Sequence, residues 1–409
     1  MDPDTVFTGS FTQQEPIPPE SLARAAEVMQ SGRLHRYNTV AGETAEAALL
    51  EQEFRDYIGS RYCLAVASGG YALTTALRAA GVRQGEAVLT NAFTLSPVPG
   101  AVVAAGGRPL LVEITGELVI DLDDLTAKIE TSGARFLLLS HMRGHIADME
   151  ALMAICDRHS VHVVEDCAHT MGAAWKGVKS GRHGLAGCYS TQTYKHLNSG
   201  EGGLIVSDDA ELMARATILS GSYMLYGHHP AGPPGEVYGD IRLETPNCSG
   251  RMDNLRAAIL RPQLARLDEN CARWNARYHA VAAELETVPG IRLPARPAEE
   301  QFVASSIQFL VSGMEAAEIR DFLARCAARG VELKWFGARE PVAFTSRHQS
   351  WRYLDPQSLP QTDAVLDGLC DMRLPLTFSL DDCRLIGAII RDCAIATRAG
   401  AGRTAATAP

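Results

Sequence analysis

The run VVEDCAHTMGAAWKGVKSGRHGLAGCYSTQTYKHLNSGEGGLIVSDD, residues 163–209, opens on an apolar stretch that ends in two acids. It closes with GLIVS (203–207) and holds GCYST (187–191) in between. These runs are short, rich in branched or aromatic residues and bounded by Gly, Ser or Asp, which is the pattern of strands. Similar runs lie upstream: YCLAV (62–66), EAVLT (86–90), RPLLVE (108–113), RFLLLSH (135–141) and VHVVE (161–165). Helical patterns fill several gaps. YALTTALRAAG (71–81) ends in a glycine placed to close a helix, and DMEALMAICDRHS (148–160) begins with an aspartate cap. Strands alternating with helices predict an α/β fold, a mostly parallel mixed sheet between helical layers.

Beyond residue 250 the alternation stops. A long helical stretch from Met252 to Leu285 carries Pro262, which should kink or divide it. Strands at SSIQFLV (305–311) and VELKWF (331–336), with helices at EAAEIRDFLARCAARG and LDDCRLIGAIIRDCA, read as a smaller α+β domain. The expected organisation is an N-terminal arm (1–20), a large domain (21–249), a small C-terminal domain (250–397) and a flexible tail (398–409). Residues 223–240 form a long loop, the kind that often serves function.

Composition narrows the chemistry. A net charge of −10, with no basic run, argues against nucleic acid as a partner. The N-terminus has neither a basic nor an apolar leader region, and no apolar run approaches the ~20 residues of a membrane span, so a cytoplasmic protein is expected. Ten cysteines include no C-x-x-C pair, which predicts reduced, buried thiols and no metal site. Only five of the 38 basic residues are lysines, a skew that reflects codon usage and shortens the list of amine nucleophiles.

Three groups stand where strands end, the place where α/β sheets bind ligands. In VASGGYALTTAL (66–77), Ser68, Gly69 and Gly70 lead into a helix whose first N–H groups suit an anion; an ordinary strand-to-helix turn would look the same. In VVEDCAHT (163–170), Asp166 ends a buried strand, with His169 three residues on. A buried carboxylate needs a cation, and a protonated pyridine nitrogen would supply one; a helix cap with a satisfied histidine is the alternative. In YSTQTYKHLNSGEGG (189–203), Lys195 can attack an aldehyde if burial lowers its basicity, and Ser190 can donate to a phosphate oxygen. Singly, Lys195 reads as a surface lysine and GEGG as a hairpin turn. Three anchors at one sheet edge make coincidence the weaker account.

This segment, with ASGGYAL, NAFTL (91–95), SHMRGHIADMEAL (140–152) and GRMDNLRAAILRPQLARLDE (250–269), resembles the DegT/DnrJ/StrS-type sugar aminotransferases, fold-type I enzymes that use pyridoxal 5'-phosphate (PLP). Asp166 and Lys195 stand 29 positions apart, as in that family. The resemblance runs from about residue 21 to the last helix and is strongest before residue 270.

The resemblance implies that Lys195 carries the cofactor and shuttles protons, that Asp166 pairs with the pyridine nitrogen, and that His169 stands beside the ring. Ser190 and the backbone N–H groups of Gly70 and Tyr71 would hold the phosphate. Leu95 replaces the usual aromatic over the cofactor face, His196 stands where asparagine is usual, and Asn247 or Ser249 would reach the neighbouring subunit's phosphate. It further implies a homodimer with shared active sites and Arg251 at the boundary; the 223–240 loop (Tyr223, Tyr226, His228, His229) is a candidate lid across it, although an exposed structural loop would read alike. Lys334, Trp335 and Arg339 are candidates for the acceptor pocket, although a strand end packing its aromatic on the core would read alike. The expected reaction moves an amino group from glutamate or glutamine to a keto-sugar, keto-cyclitol or related carbonyl acceptor. Lyase, aldolase or dehydratase chemistry on the same scaffold is the alternative, and a silent PLP-binding regulator is a third. The small domain departs from the family's substrate segments, which leaves the acceptor open.

Overall fold

The computed structural model describes residues 5–406. In chain order the strands are β1 (Tyr62–Val66), β2 (Ala87–Asn91), β3 (Arg108–Val112), β4 (Phe136–Ser140), β5 (His162–Asp166), β6 (Ala174–Trp175), β7 (Val178–Lys179), β8 (Ala186–Ser190) and β9 (Gly203–Ser207). The C-terminal part adds β10 (Ile291–Arg292), β11 (Glu300–Gln301), β12 (Ser306–Val311), β13 (Lys334–Trp335) and β14 (Leu369–Arg373).

Seven strands form the central sheet in the order β1-β9-β8-β5-β4-β2-β3. All run parallel except β9, which pairs antiparallel with both β1 and β8. The apolar runs read from the sequence are these strands, shifted by at most one residue. Both faces are covered, one by a cluster that includes Phe54, Leu137 and Leu204, the other by one that includes Leu77, Phe136 and Ile205. Helix Gly69–Ala79 is capped by Ser68 and followed by Gly81 at φ +93°, the closing glycine. Helix Met149–Arg158 starts at Asp148, whose side chain accepts from Glu150 N and Ala151 N. No described helix is long and apolar enough to cross a membrane.

The second sheet, β10-β12-β14-β13, is antiparallel and packs on helices Leu267–Leu285, Ala316–Ala328 and Leu380–Ala406. Phe7 and Phe11 insert into this same core and meet Phe378 edge to face at 5.0 Å. The N-terminal arm therefore belongs structurally with the C-terminal core.

Three expectations are corrected, and the expected division of the helical run by Pro262 is present. The strand read over 331–336 shrinks to Lys334–Trp335, because this edge segment pairs with β14 only at Asp371 and Cys370. Pro262 lies inside helix Asn254–Leu264, and the helical run breaks just beyond it before restarting at Leu267. Helix Leu380–Ala406 continues past residue 398, where a flexible tail was expected; residues 407–409 lie outside the described residues. The 250 boundary falls ahead of helix Asn254–Leu264, which packs under the central sheet. The two cores instead meet within helix Leu267–Leu285, since Cys271 and Trp274 join the first and Tyr278 and Val281 the second.

The 223–240 loop contains short 3-10 turns at Tyr226–His228 and Gly235–Tyr238. His229 anchors it. Its ring nitrogens lie 3.1 Å from Arg36 Nη2 and 2.8 Å from Tyr37 Oη, and Arg36 is itself paired with Glu51.

Candidate active site

Four parallel strands deliver chemistry to one edge of the central sheet, and a cavity of about 410 Å3 opens there. Asp166 ends β5, Ser140 ends β4, Ser190 ends β8, and the turn Ser68–Gly70 follows β1. All of these line the cavity, together with His169, Leu95 and Lys195. Close packing of the turn against β8 demands glycine, since a Cβ on Gly69 would stand 2.7 Å from Ser190 Cβ. The GEGG segment serves the same approach from below, where a Cβ on Gly203 would lie 2.4 Å from Ser68 O.

Lys195 sits in a loop closed by Thr191 N–H donating to Gly202 O at 2.9 Å. Its Nζ and His169 Nε2 are hydrogen-bonded at 2.8 Å. Lys195 keeps some surface through the cavity, yet its amine is deep enough that loss of solvation, then the charge of Arg143, holds its pKa down to about 7 against the pull of Asp166. His169 is held well below its ordinary value by burial and by Lys195, so the ring is neutral.

Asp166 is raised by burial, with Lys195 opposing. Its Oδ2 accepts from Ser140 Oγ at 3.0 Å and its Oδ1 from Ala168 N at 3.1 Å. Ser140 is aimed in turn by Thr94 Oγ1, which donates to its Oγ at 2.8 Å, and by Asn91, which clasps its backbone on both sides. Behind Asp166, Glu165 accepts three backbone N–H groups, from Gly181, His183 and Gly184, each at 2.8 Å, and faces His141 Nε2 at 3.0 Å. His141, Glu165 and Cys167 present ligand-type atoms within 4.8 Å of one another. Glu165 is already committed to bracing the 181–184 turn, so the trio is a scaffold under the strand end.

The expected phosphate contacts divide. Gly70 and Ser190 face the cavity, whereas Tyr71 N–H is spent on Ser68 Oγ at 3.1 Å and its hydroxyl on Leu219 O at 2.9 Å. Asn247, Ser249, Arg251 and Tyr223 lie outside the cavity of this chain as one group. Asn247 Oδ1 accepts from Ser249 N at 3.1 Å, Arg251 Nη2 donates to Ser249 Oγ at 2.8 Å, and the Arg251 guanidinium stands 5.1 Å from the Tyr223 ring. His228 is exposed near this group, edge-on to Tyr37 at 5.9 Å.

Lys334 stands one layer behind the cavity wall, 4.9 Å from the ring of Phe344, which does line it. Burial, then Arg373, holds Lys334 down to about 8. Trp335 is corrected as a pocket residue. Successive strand residues point to opposite faces, and its Nε1 donates to Asp367 O at 2.8 Å, away from Lys195. Arg339 is exposed and absent from the lining. His196, behind Lys195, packs edge-on to Trp274 at 4.9 Å.

Sequence reading missed Ser140, Thr94 and Asn91, which orient Asp166, and also Arg143, Tyr194, Phe344 and Arg373. Arg143 lies within SHMRGH, a quoted motif, and its strained backbone at φ +56° is the signal that structure adds.

The donor set fits PLP. A buried carboxylate supported only by neutral donors suits a protonated ring nitrogen, a poorly basic lysine suits its aldehyde, and a capped helix start beside Ser190 suits its phosphate.

Comparison with known proteins agrees. The pattern of the DegT/DnrJ/EryC1/StrS aminotransferase family matches residues 17–391. The dTDP-3-amino-3,4,6-trideoxy-alpha-D-glucose transaminase of Streptomyces venezuelae is 36% identical over 300 residues, covering 71% of this chain and 72% of that protein. The L-glutamine:2-deoxy-scyllo-inosose aminotransferase of Streptomyces fradiae is 31% identical over 310 residues, with 73% and 70% covered. Among solved structures, DesV of S. venezuelae superposes with a TM-score of 0.76 at 28% identity, over 92% of this chain and 94% of that one. The aminotransferase TlmJ from Streptoalloteichus hindustanus gives 0.80 at 22% identity, over 94% and 98%, a likeness that concerns the fold. Strand ends, lysine and relatives converge, and the chain is an aminotransferase of the DegT/DnrJ/EryC1/StrS family.

Proposed function

We propose that this chain is a PLP-dependent aminotransferase that takes nitrogen from an amino acid, glutamate or glutamine, and delivers it to the carbonyl of a keto-sugar, keto-cyclitol or related intermediate. The observation that carries the reading is the Lys195 amine, held near neutral pKa, 2.8 Å from His169 and in the same cavity as Asp166. Relatives named for glutamine and for scyllo-inosose or trideoxyglucose substrates support the choice of donor and acceptor class.

In this reading Asp166 holds the pyridine nitrogen in its protonated state, Ser190 and the Ser68–Gly70 turn hold the phosphate, and Leu95 packs against the ring. PLP supplies an electron sink for charge at the substrate carbon. Lys195 would anchor the cofactor and, as a free amine, would take up and return the proton at the substrate carbon. His169, neutral, is hydrogen-bonded to Lys195 Nζ and would keep the amine aimed. Donor and acceptor occupy the same cavity in turn.

A second copy of the chain completes the site in this reading. Leu243 (73% exposed), Tyr223 (60%) and Met224 (53%) form an apolar surface next to Asn247, Ser249 and Arg251. Light scattering should give a dimer. A cytoplasmic setting is in keeping with ten unpaired thiols.

The test is Lys195→Ala. Turnover and the visible absorbance of bound cofactor should both vanish; retained turnover refutes the assignment. Release of 2-oxo acid from glutamate or glutamine, in step with bleaching of that absorbance, separates transamination from lyase chemistry.

A further inference from the structure

The wall of the Lys195 cavity holds a cation whose place is decided outside it. Arg143 lies in the turn after β4 and lines the cavity together with Lys195. It adopts φ +56°, a left-handed backbone that non-glycine residues adopt at a cost and that tends to gather at functional sites. Its Nη2 donates to Asp371 Oδ2 at 2.8 Å, and among the described residues Asp371 is the acid bonded to it. Asp371 belongs to β14 of the second sheet, so the guanidinium is held across the junction of the two cores.

Asp371 is held in its turn. Its Oδ1 accepts from Gln308 Nε2 at 2.7 Å, and Gln308 Oε1 meets His145 Nε2 at 2.9 Å. The direction of each bond follows from the groups themselves. A carboxylate only accepts, so Gln308 turns its amide N–H to Asp371, which leaves its carbonyl, also only an acceptor, facing His145. His145 therefore carries a proton on Nε2 and donates it. Burial, then Arg296, holds that ring well below its ordinary basicity, so it donates as a neutral ring. Ser306 Oγ accepts from the same Gln308 amide at 2.8 Å, and a flipped amide would lose this bond and turn its oxygen on Asp371. His145, Gln308, Asp371 and Arg143 are each at most 6% exposed. The chain begins and ends on one turn of the large domain, passing through β12 and β14 of the small one. Between its ends, Arg296 Nη1 donates to Gly144 O at 2.7 Å, and a Cβ on Gly144 would stand 2.7 Å from Val303 O.

We propose that His145 and Gln308 are positioning residues of the Lys195 site: acting through Asp371, they fix the Arg143 guanidinium in the cavity wall that it shares with Lys195. The inference rests on reading Lys195 as the amine that reacts there. Neither His145 nor Gln308 lines the cavity, so each acts only through the chain. The charges facing Lys195 give the chain its consequence. Asp166, at the end of β5, favours the ammonium form, whereas Arg143 and Arg373 oppose it. His169 and His196 flank the amine as rings that burial keeps neutral, and Tyr194 and Glu201 line the same cavity. A guanidinium free to swing toward water would be screened and would oppose the ammonium less. Held in place, it keeps the amine ready to attack near neutral pH.

The test reads Lys195 directly in the full chain without cofactor. Trace acetic anhydride acetylates an amine only in its uncharged form, and peptide mass spectrometry follows the reaction at Lys195 as pH is varied. Wild type should give a midpoint of about 7. Arg143→Met removes the charge and should raise that midpoint by about one pH unit, a factor of about ten in basicity. Gln308→Met keeps the bulk of glutamine without its bonds, and His145→Leu removes the first donor; each should reproduce most of the rise. His145→Gln still presents an N–H to Gln308 and should return the midpoint to the wild-type value. Added to Arg143→Met, the changes at 308 and 145 should move it no further.

An unmoved midpoint in Gln308→Met and His145→Leu, or a further rise when either is added to Arg143→Met, overturns the proposal. Gln308→Asn, too short to reach both Asp371 and His145, decides the case by the same rise if the apolar variants do not fold. The labelling needs no cofactor, so the two readings fail separately. Failure of wild type to bind PLP at Lys195, with the midpoints ordered as above, sinks the aminotransferase reading and leaves the positioning chain standing.

Discussion

Lys195 is suited to nucleophilic attack because its surroundings disfavour its charge, and the direction can be read in solution. A lysine attacks once its proton leaves. Capture of PLP by cofactor-free protein should therefore accelerate by about tenfold per pH unit below neutrality and level off above about 7. Stopped-flow absorbance checks this, and a midpoint near the ordinary lysine value of about 10.4 would contradict it. Asp166→Asn keeps an acceptor for Ser140 or Ala168 but cannot support a ring cation. Turnover should fall on the order of 100-fold or more, while melting shifts by less than about 1 kcal/mol in stability. Lys195, Asp166, His169 and Ser190 were legible in the sequence because each lies within one contiguous run beside a strand end. Ser140, Thr94 and Arg373 were not, because their neighbours come from strands far apart in the chain. Lys334 and Trp335 illustrate the limit: adjacent in sequence, they point to opposite faces of a two-residue strand.

In the proposed reading the turn after β1 would hold the phosphate of the cofactor. Adding a methyl at Gly69→Ala would press on Ser190 Cβ at 2.7 Å. The helix start must then shift, at a cost of about 1–3 kcal/mol. PLP affinity, measured by absorbance titration, should drop further than thermal stability, since the displaced groups are those assigned to the phosphate. At this scale the sequence was most readable. Apolar runs bounded by turn residues mark the seven central strands to within a residue. The small domain was read less well because its edge strand β13 pairs at only two positions, too few to leave a pattern. Pro262 marked the division of the helical run, which breaks just after it.

Across the whole molecule, the two cores are held together by elements that belong to both. Phe11, 3% exposed in the C-terminal core, should cost about 3–5 kcal/mol when changed to alanine. Hydrogen exchange should show the second sheet loosening before the central one; uniform loosening would show that the arm is not part of that core. This contact could not be read from sequence, because nothing in an arm of isolated phenylalanines names a partner some 300 residues away. It also sets an order of events on the ribosome. Phe7 and Phe11 are synthesised well before the strands and helix that bury them, so the central sheet can be complete while its companion still lacks two of its wedges.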